Sequence, residues 1–243
     1  MDYNYDAIVI GGGNGGLATA ATLACENKKV ILFEKHNIPG GCGTSFRRGR
    51  FEFEVALHQL SHMGTEEKPG ELRKLFKRYG ILDEIEWIQI KELYRVNFPD
   101  GTGISLPTSR KGCEETLIKA FPEEKEGILK FYNIVYKFIK EAGEFAQKSA
   151  ASTGEPSSLK KVIMKFGFPK IYPTLANYGL KSTQEVLDEC FKDKKLQMAV
   201  STYWCFMGMP PSRFPFSILA KCIGFYLEDK PFYLKGTSMM MNQ

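Results

Sequence analysis

Residues Gly11 to Gly16 read Gly-Gly-Gly-Asn-Gly-Gly, and this run restricts the fold more than any other part of the chain. A segment almost without side chains cannot be held by side-chain packing, so it is a turn kept for its bare backbone. Before it, Asp6 to Ile10 is a short β-branched apolar run that predicts a strand buried on both faces, as in a parallel sheet. After it, Leu17 to Cys25 is rich in alanine and leucine and predicts a helix, with Lys28 and Lys29 beyond its negative pole. Val30 to Phe33 is a second apolar run, ending in Glu34. Strand, glycine turn, helix and strand fit the span of a βαβ unit, about thirty residues.

In that setting Gly11, Gly13 and Gly16 match the GxGxxG fingerprint of dinucleotide-binding turns. Gly11 would permit the tight turn, Gly13 would let a pyrophosphate approach the backbone, and Gly16 would let the helix pack closely on the strand. Asn14 and Gly15 complete the turn at the helix N-terminus, where free N–H groups favour negative charge. Glu34 stands at the carboxyl end of the second strand, with Lys35 beside it. There its carboxylate would accept hydrogen bonds from adenosine ribose hydroxyls and repel a 2'-phosphate.

A plain NAD-binding unit would usually enter a helix after Glu34. Instead the chain continues His36-Asn-Ile-Pro-Gly40-Gly41-Cys42-Gly43-Thr44, a second glycine-rich loop. Backbone amides there would suit a further anionic or carbonyl-rich part of a longer cofactor, as in FAD, while an ordinary loop before a hairpin is the alternative. Cys42 is a redox thiol or flavin attachment point in one reading and a small buried residue in the other. No cysteine lies near it in sequence, which favours the second.

Further along, Phe51, Phe53 and Val55 alternate with Glu52 and Glu54, predicting a half-exposed strand. Ile85 to Lys91, Tyr94 to Phe98 and Ile104 to Leu106 predict a small antiparallel sheet with a Pro-Asp-Gly turn. Helices are expected at Glu114 to Ala120 and from Glu123 to about Gln147, where Ile128, Phe131, Val135, Phe138 and Ile139 share a face. Residues 149–158 have loop composition, and shorter helices are expected at 159–166, 183–191, 195–207 and 216–227. Phe232 to Ser238 reads as a strand or turn entering another helix.

The segments GGGNGGLATAATLA and FEKHNIPGGCGTSFRRGRFEFEVALHQL resemble the phytoene desaturase superfamily, in the branch with carotenoid cis-trans isomerases and retinol saturases. The likeness is strong over Tyr5 to Leu60 and fainter beyond, where Tyr233 to Ser238 resembles the family's PKGG segment with Gly236-Thr in place of a glycine pair. The resemblance implies an α/β protein: a glutathione-reductase-like FAD-binding Rossmann domain, incomplete here, with an inserted, largely helical α+β substrate domain. It divides the chain into residues 1–65, 66–231 and 232–243, the last being the start of a return to the cofactor domain in a protein that continues further. It places Gly11, Gly13 and Gly16 at the FAD pyrophosphate, Glu34 at the ribose, and Gly41 to Thr44 near the ribityl chain and flavin. Lys235 and Gly236 would mark the return.

The implied activity is an FAD-dependent oxidoreductase on an apolar conjugated substrate, carotenoid or retinoid, by desaturation, saturation or redox-assisted isomerisation. An amine-oxidase-like flavoenzyme and a non-catalytic nucleotide-binding fragment are the alternatives. His58 is a candidate for the flavin surroundings or a core histidine. With His62 at i+4 it has no third ligand in sequence, so no metal is expected. Glu52 and Glu54 read as a solvated face and Ser45 lacks a nucleophile elbow. The aromatic and methionine residues from Tyr203 to Met209, with Phe214, Phe216, Phe225 and Tyr226, are read partly as the wall of an apolar tunnel and partly as core.

The net charge is +5, with 33 basic residues interleaved among 28 acidic ones, which argues against a nucleic-acid partner. Six scattered cysteines without a CxxC pair point to a reducing cytoplasm. No apolar stretch reaches transmembrane length, and Phe214 to Leu227 is the candidate for peripheral contact with a bilayer. Nothing in the pattern decides the oligomeric state.

Overall fold

The computed structural model describes residues 4–150, 167–228 and 230–242. Two compact units emerge, Met1–Ile90 with Asp229–Gln243, and Lys91–Glu228. Residues 66–90, expected in the inserted domain, fall in the first unit because the helix they form packs on the helix of the βαβ segment. The loop expected at 149–158 and the helix at 159–166 lie outside the described residues, apart from the end of the helix that closes at Ala150.

The first unit opens with β1 (Ala7–Ile10), α1 (Asn14–Cys25) and β2 (Val30–Phe33). The strands are parallel and pair Ala7 with Val30 through Ile10 with Phe33. Asp6 fastens the turn between α1 and β2, its carboxylate accepting the Lys29 amide at 2.8 Å. Burial of β1 on both faces does not hold: Ile8 is 64% and Ile10 86% exposed. Side chains alternate along a strand, so one face of β1 meets α1, and among the described residues β2 is the only strand paired with it.

A short hairpin follows, β3 (Phe46–Arg48) and β4 (Phe51–Phe53), turning at Gly49 with φ +58°. Next comes α2 (Glu71–Tyr79), closed by Gly80 in the left-handed conformation. Its signals are visible in the sequence: Leu72, Leu75, Phe76 and Tyr79 recur at helical spacing before a terminal glycine. Phe76 stacks on Trp87 at 5.3 Å, and the Tyr79 hydroxyl bonds Thr22 Oγ1 at 2.8 Å on α1. The strand expected at 85–91 shortens to β5 (Trp87–Gln89).

In the second unit β6 (Glu92–Asn97) and β7 (Gly103–Pro107) form the antiparallel hairpin. Asp100 organises its turn by accepting the Thr102 amide at 3.1 Å. Ser109 caps α3 (Arg110–Ala120), and α4 (Lys125–Ala150) supplies the central helix. The expected stripe of α4 is the core, with Ile128, Phe131 and Val135 fully buried and Phe138 1% exposed. Packed with it are residues of α5 (Pro173–Tyr178), α6 (Thr183–Cys190), α7 (Lys194–Val200) and α9 (Phe216–Glu228), while the short α8 (Trp204–Met207) contributes no buried residue.

The single helix expected over 195–207 is broken between α7 and α8. Ser201 Oγ turns back to the Gln197 carbonyl at 2.8 Å and Thr202 Oγ1 to Ala199 at 3.1 Å, local bonds that compete with a continuous helix. The chain then returns to the first unit as β8 (Phe232–Leu234) and α10 (Met239–Asn242). β8 pairs antiparallel with β5, Trp87 opposite Leu234. The antiparallel sheet expected to include 85–91 is thus two separate ladders, β5 with β8 and β6 with β7. Among the described residues no helix is long and apolar enough to cross a membrane.

Candidate dinucleotide site

The glycine turn joins both strands to α1. Gly11, at φ +99°, donates its amide to the Phe33 carbonyl at 2.7 Å, locking the turn to the end of β2. A β-carbon on Gly16 would overlap the Gly11 carbonyl oxygen and stand 3.5 Å from Val9 Cγ1, so only glycine lets α1 sit this close to β1. Gly13 is the N-cap, without a side-chain cap, and no acidic residue occupies the first turn of α1. The amides of Asn14, Gly15 and Gly16 therefore present the positive end of a twelve-residue helix. A β-carbon on Gly15 would meet nothing within 4 Å, so the space there is open.

Glu34 reaches back over this turn. Its carboxylate accepts the Gly12 amide at 2.5 Å and the His36 amide at 2.8 Å. Those two backbone bonds, from His36 and then Gly12, hold its pKa below the ordinary carboxylate value. A carboxylate offers about four acceptor positions, so two amides leave capacity for ribose hydroxyls. Lys35 is exposed beside it.

The second loop lies directly on the first. Gly40 donates to the Gly12 carbonyl at 2.6 Å and forms a parallel bridge with Gly13. Gly40 and Gly41 have φ +114° and +57°. Gly41 to Gly43 make a single 3-10 turn, and Thr44 Oγ1 donates to the Pro39 carbonyl at 3.1 Å. Asn14 leans over it, 3.3 Å from where a β-carbon of Gly43 would lie. Cys42, expected to be buried, is exposed, because the 3-10 turn directs its side chain outward.

Several residues outside the two glycine loops bond to one another and to the second loop. Ser45, 2% exposed, bonds Thr237 Oγ1 at 2.7 Å, and Thr237 donates to Glu52 at 2.6 Å. Ser238 donates from its amide to Glu54 at 2.6 Å and from its hydroxyl to the Gly43 carbonyl at 2.5 Å. Glu54 is no solvated surface carboxylate: burial raises its pKa, but bonds from the amides of Ser238, Leu57 and Ala56 outweigh this and lower it. Glu52 is lowered as well, first by Thr237 and then by Arg47. Partners nearly two hundred residues away leave no periodic signal, and an alternating strand gives its carboxylates the pattern of a solvated face.

Two cavities adjoin these loops. One of roughly 470 Å³ has a mainly apolar lining that includes Leu17, Ala21, Leu57, Leu72, Phe76 and Met241, with Asn14 and Asn242 as polar members. The other, roughly 260 Å³, is bordered by Glu54, His58, Tyr233 and Gly236. His58 thus borders the same cavity as Tyr233 and Gly236, while His62 bonds Ser61 at 2.8 Å. Gly236 has φ +104°, and Lys235 pairs with Glu86 at 2.8 Å. No group of three or more possible metal ligands exists among the described residues. In the second unit, Tyr203, Phe214 and Phe216 are core residues, Tyr203 stacking on Tyr226 at 5.1 Å, whereas Trp204, Phe206 and Met207 are exposed.

A family model described as an NAD(P)-binding Rossmann-like domain matches residues 9–79, which contain both glycine loops. All-trans-retinol 13,14-reductase of Rattus norvegicus is 25% identical over 237 residues, covering 96% of this chain and 38% of that protein. Prolycopene isomerase 1, chloroplastic, of an Oncidium hybrid cultivar is 32% identical over 193 residues, 79% of this chain and 32% of its own length. Among solved structures, cyclohexylamine oxidase of Brevibacterium oxydans superposes with a TM-score of 0.54 at 13% identity, over 99% of this chain and 48% of that one, which shows a common fold. The chain spans a little over a third of the length of the retinol reductase it matches. Over that stretch the chain is similar to the retinol reductase and the prolycopene isomerase, and its residues 9–79 match a dinucleotide-binding fold.

Proposed function

We propose that this chain binds FAD across its two glycine loops and contributes to an oxidoreductase acting on an apolar conjugated substrate of the carotenoid or retinoid kind. The observation that carries the reading is the docking of Gly40 and Gly41 on Gly12 and Gly13, which aligns two side-chain-free backbones beside the uncapped end of α1. A single nicotinamide-type fingerprint does not require the second loop. A cofactor with a long ribityl linker does, and the residues present fit it: open space over Gly15, an ionised Glu34 with spare acceptor capacity, and two glycines at positive φ.

In this assignment the amides of Asn14, Gly15 and Gly16 bind the pyrophosphate and Glu34 accepts from the adenosine ribose. Gly41, Cys42, Gly43 and Thr44 approach the ribityl and flavin portion through their backbone. When bound, the flavin supplies hydride exchange at N5, which serves desaturation, saturation or isomerisation through a transient redox step. The protein's part is to hold the cofactor, orient the substrate and exclude water. The retinol reductase and prolycopene isomerase relatives support an apolar substrate. The mainly apolar cavity beside Asn14 adds a surface of matching character within the same unit.

Titrating the purified chain with FAD and with ADP, by calorimetry and visible absorption, tests this reading. Saturable binding of both is expected, with loss of both in Gly13→Val. A chain that binds neither, or a variant that binds both normally, would overturn it.

A further inference from the structure

Glu54 lies outside both glycine loops, yet it is the most heavily bonded carboxylate near them. Its Oε1 accepts three consecutive amides, Val55 at 3.0 Å, Ala56 at 3.1 Å and Leu57 at 3.0 Å. Its Oε2 accepts the Ser238 amide at 2.6 Å. An acceptor satisfied this way is fixed in direction, since moving it would break four backbone bonds together. Ser238 is 2% exposed and its hydroxyl has one proton, shared between the Gly43 carbonyl at 2.5 Å and Glu54 Oε1 at 3.0 Å. Asn242 Nδ2 donates to the same Gly43 carbonyl at 3.1 Å. Two side chains from the far end of the chain thus converge on one peptide group of the second glycine loop.

That peptide group matters because peptide units are planar and trans, so the carbonyl of Gly43 and the N–H of Thr44 point in opposite directions. Holding the carbonyl toward Ser238 and Asn242 turns the Thr44 N–H to the opposite side. Glycine-rich backbone would otherwise rotate freely at this point, with a conformational entropy cost on binding.

We propose that Glu54 and Ser238 are positioning residues that set the Gly43–Thr44 peptide so that the Thr44 amide is presented to the flavin half of the cofactor. This rests on the assignment of the second loop to FAD. The pair acts by pre-ordering the loop before the ligand arrives.

The test compares the parent chain with Ser238→Ala and Glu54→Gln, measuring FAD and ADP affinity and hydrogen exchange over residues 40–46. ADP reports only the first glycine turn and Glu34, whereas FAD also needs the second loop. In Ser238→Ala the FAD dissociation constant is expected to rise about tenfold, the order of one lost hydrogen bond, while that of ADP stays unchanged. Exchange over 40–46 should accelerate in the ligand-free variant. Should Glu54→Gln fail to fold, Ser238→Ala still decides, because it removes one hydroxyl and leaves every backbone bond of Glu54. Unchanged FAD affinity in Ser238→Ala, or equal weakening of FAD and ADP, would overturn the positioning role. A parent chain that binds neither ligand would overturn the cofactor assignment and this inference with it, an outcome distinct from both.

Discussion

A β-carbon placed on Gly41 would stand 3.1 Å from the α-carbon of Gly13, so the two glycine loops meet backbone against backbone with no room for a side chain between them. Gly41 is also at φ +57°, a conformation that costs an L-residue about 1–2 kcal/mol. Gly41→Ala is therefore expected to lower unfolding free energy by at least that amount in denaturant titration. Gly15→Ala, whose β-carbon meets nothing within 4 Å, should leave stability equal or raise it, since alanine is the better helix residue. Equal loss in both variants would contradict the packing of the two loops.

Gly16 answers to a different constraint. Its β-carbon would overlap the Gly11 carbonyl, a rigid backbone atom, so α1 would have to move away from β1. Gly16→Ala should cost about 1–3 kcal/mol, the range for an overpacked site. A melting temperature unchanged from the parent would show that α1 has slack on the strand.

Glu34 carries the adenosine end of the proposed site. Glu34→Gln is expected to weaken ADP binding about ten- to a hundredfold in calorimetry, with the visible fold retained. Because the carboxylate's pKa lies below its ordinary value, and the pyrophosphate of FAD, unlike the terminal phosphate of ADP, does not titrate near neutrality, FAD affinity in the parent should be flat from neutral pH downward until that carboxylate protonates. The variant should lack this final acid loss. A parent affinity that already falls near pH 7 would assign the dependence to another group.

Acid stability should report Glu54. Its folded pKa lies below its unfolded value of 4.5, so its contribution is fully present above that value. It is lost as pH falls through the folded pKa. Chemical denaturation from pH 7 to pH 3 should show the parent losing stability below about pH 4.5, with a shallower slope in Glu54→Gln. Parallel pH profiles in the two proteins would show that the bonds of Glu54 to Ser238 and the 55–57 amides do not contribute to stability.

In the second unit, Ser182 and Glu185 form a reciprocal cap at the start of α6, the serine accepting the Glu185 amide at 3.3 Å and the glutamate accepting the Ser182 amide at 2.7 Å. Ser182→Ala should cost about 1 kcal/mol of unfolding free energy. A change within measurement error would show that tertiary packing of Val186 and Leu187 alone holds the helix.

The βαβ segment, its glycine turn and the stripe of α4 were legible because each rests on local rules: a strand period, a helix period, and the absence of side chains where backbone must be bare. Glu34 was legible too, since its distance from the fingerprint is set by the length of one helix and one strand. What tertiary structure alone decided is how distant segments meet. The pairing of β5 with β8, the bonds from Ser238 and Asn242 to Gly43, and the role of Glu54 all join residues about 145–200 positions apart. No periodicity spans such a separation. A carboxylate in an alternating strand looks like a solvated residue until the amide that it accepts arrives from the other end of the chain. The exposure of Ile8 and Ile10 has the same origin, because a strand's composition records that it is apolar, and only the assembled sheet determines which of its faces is covered.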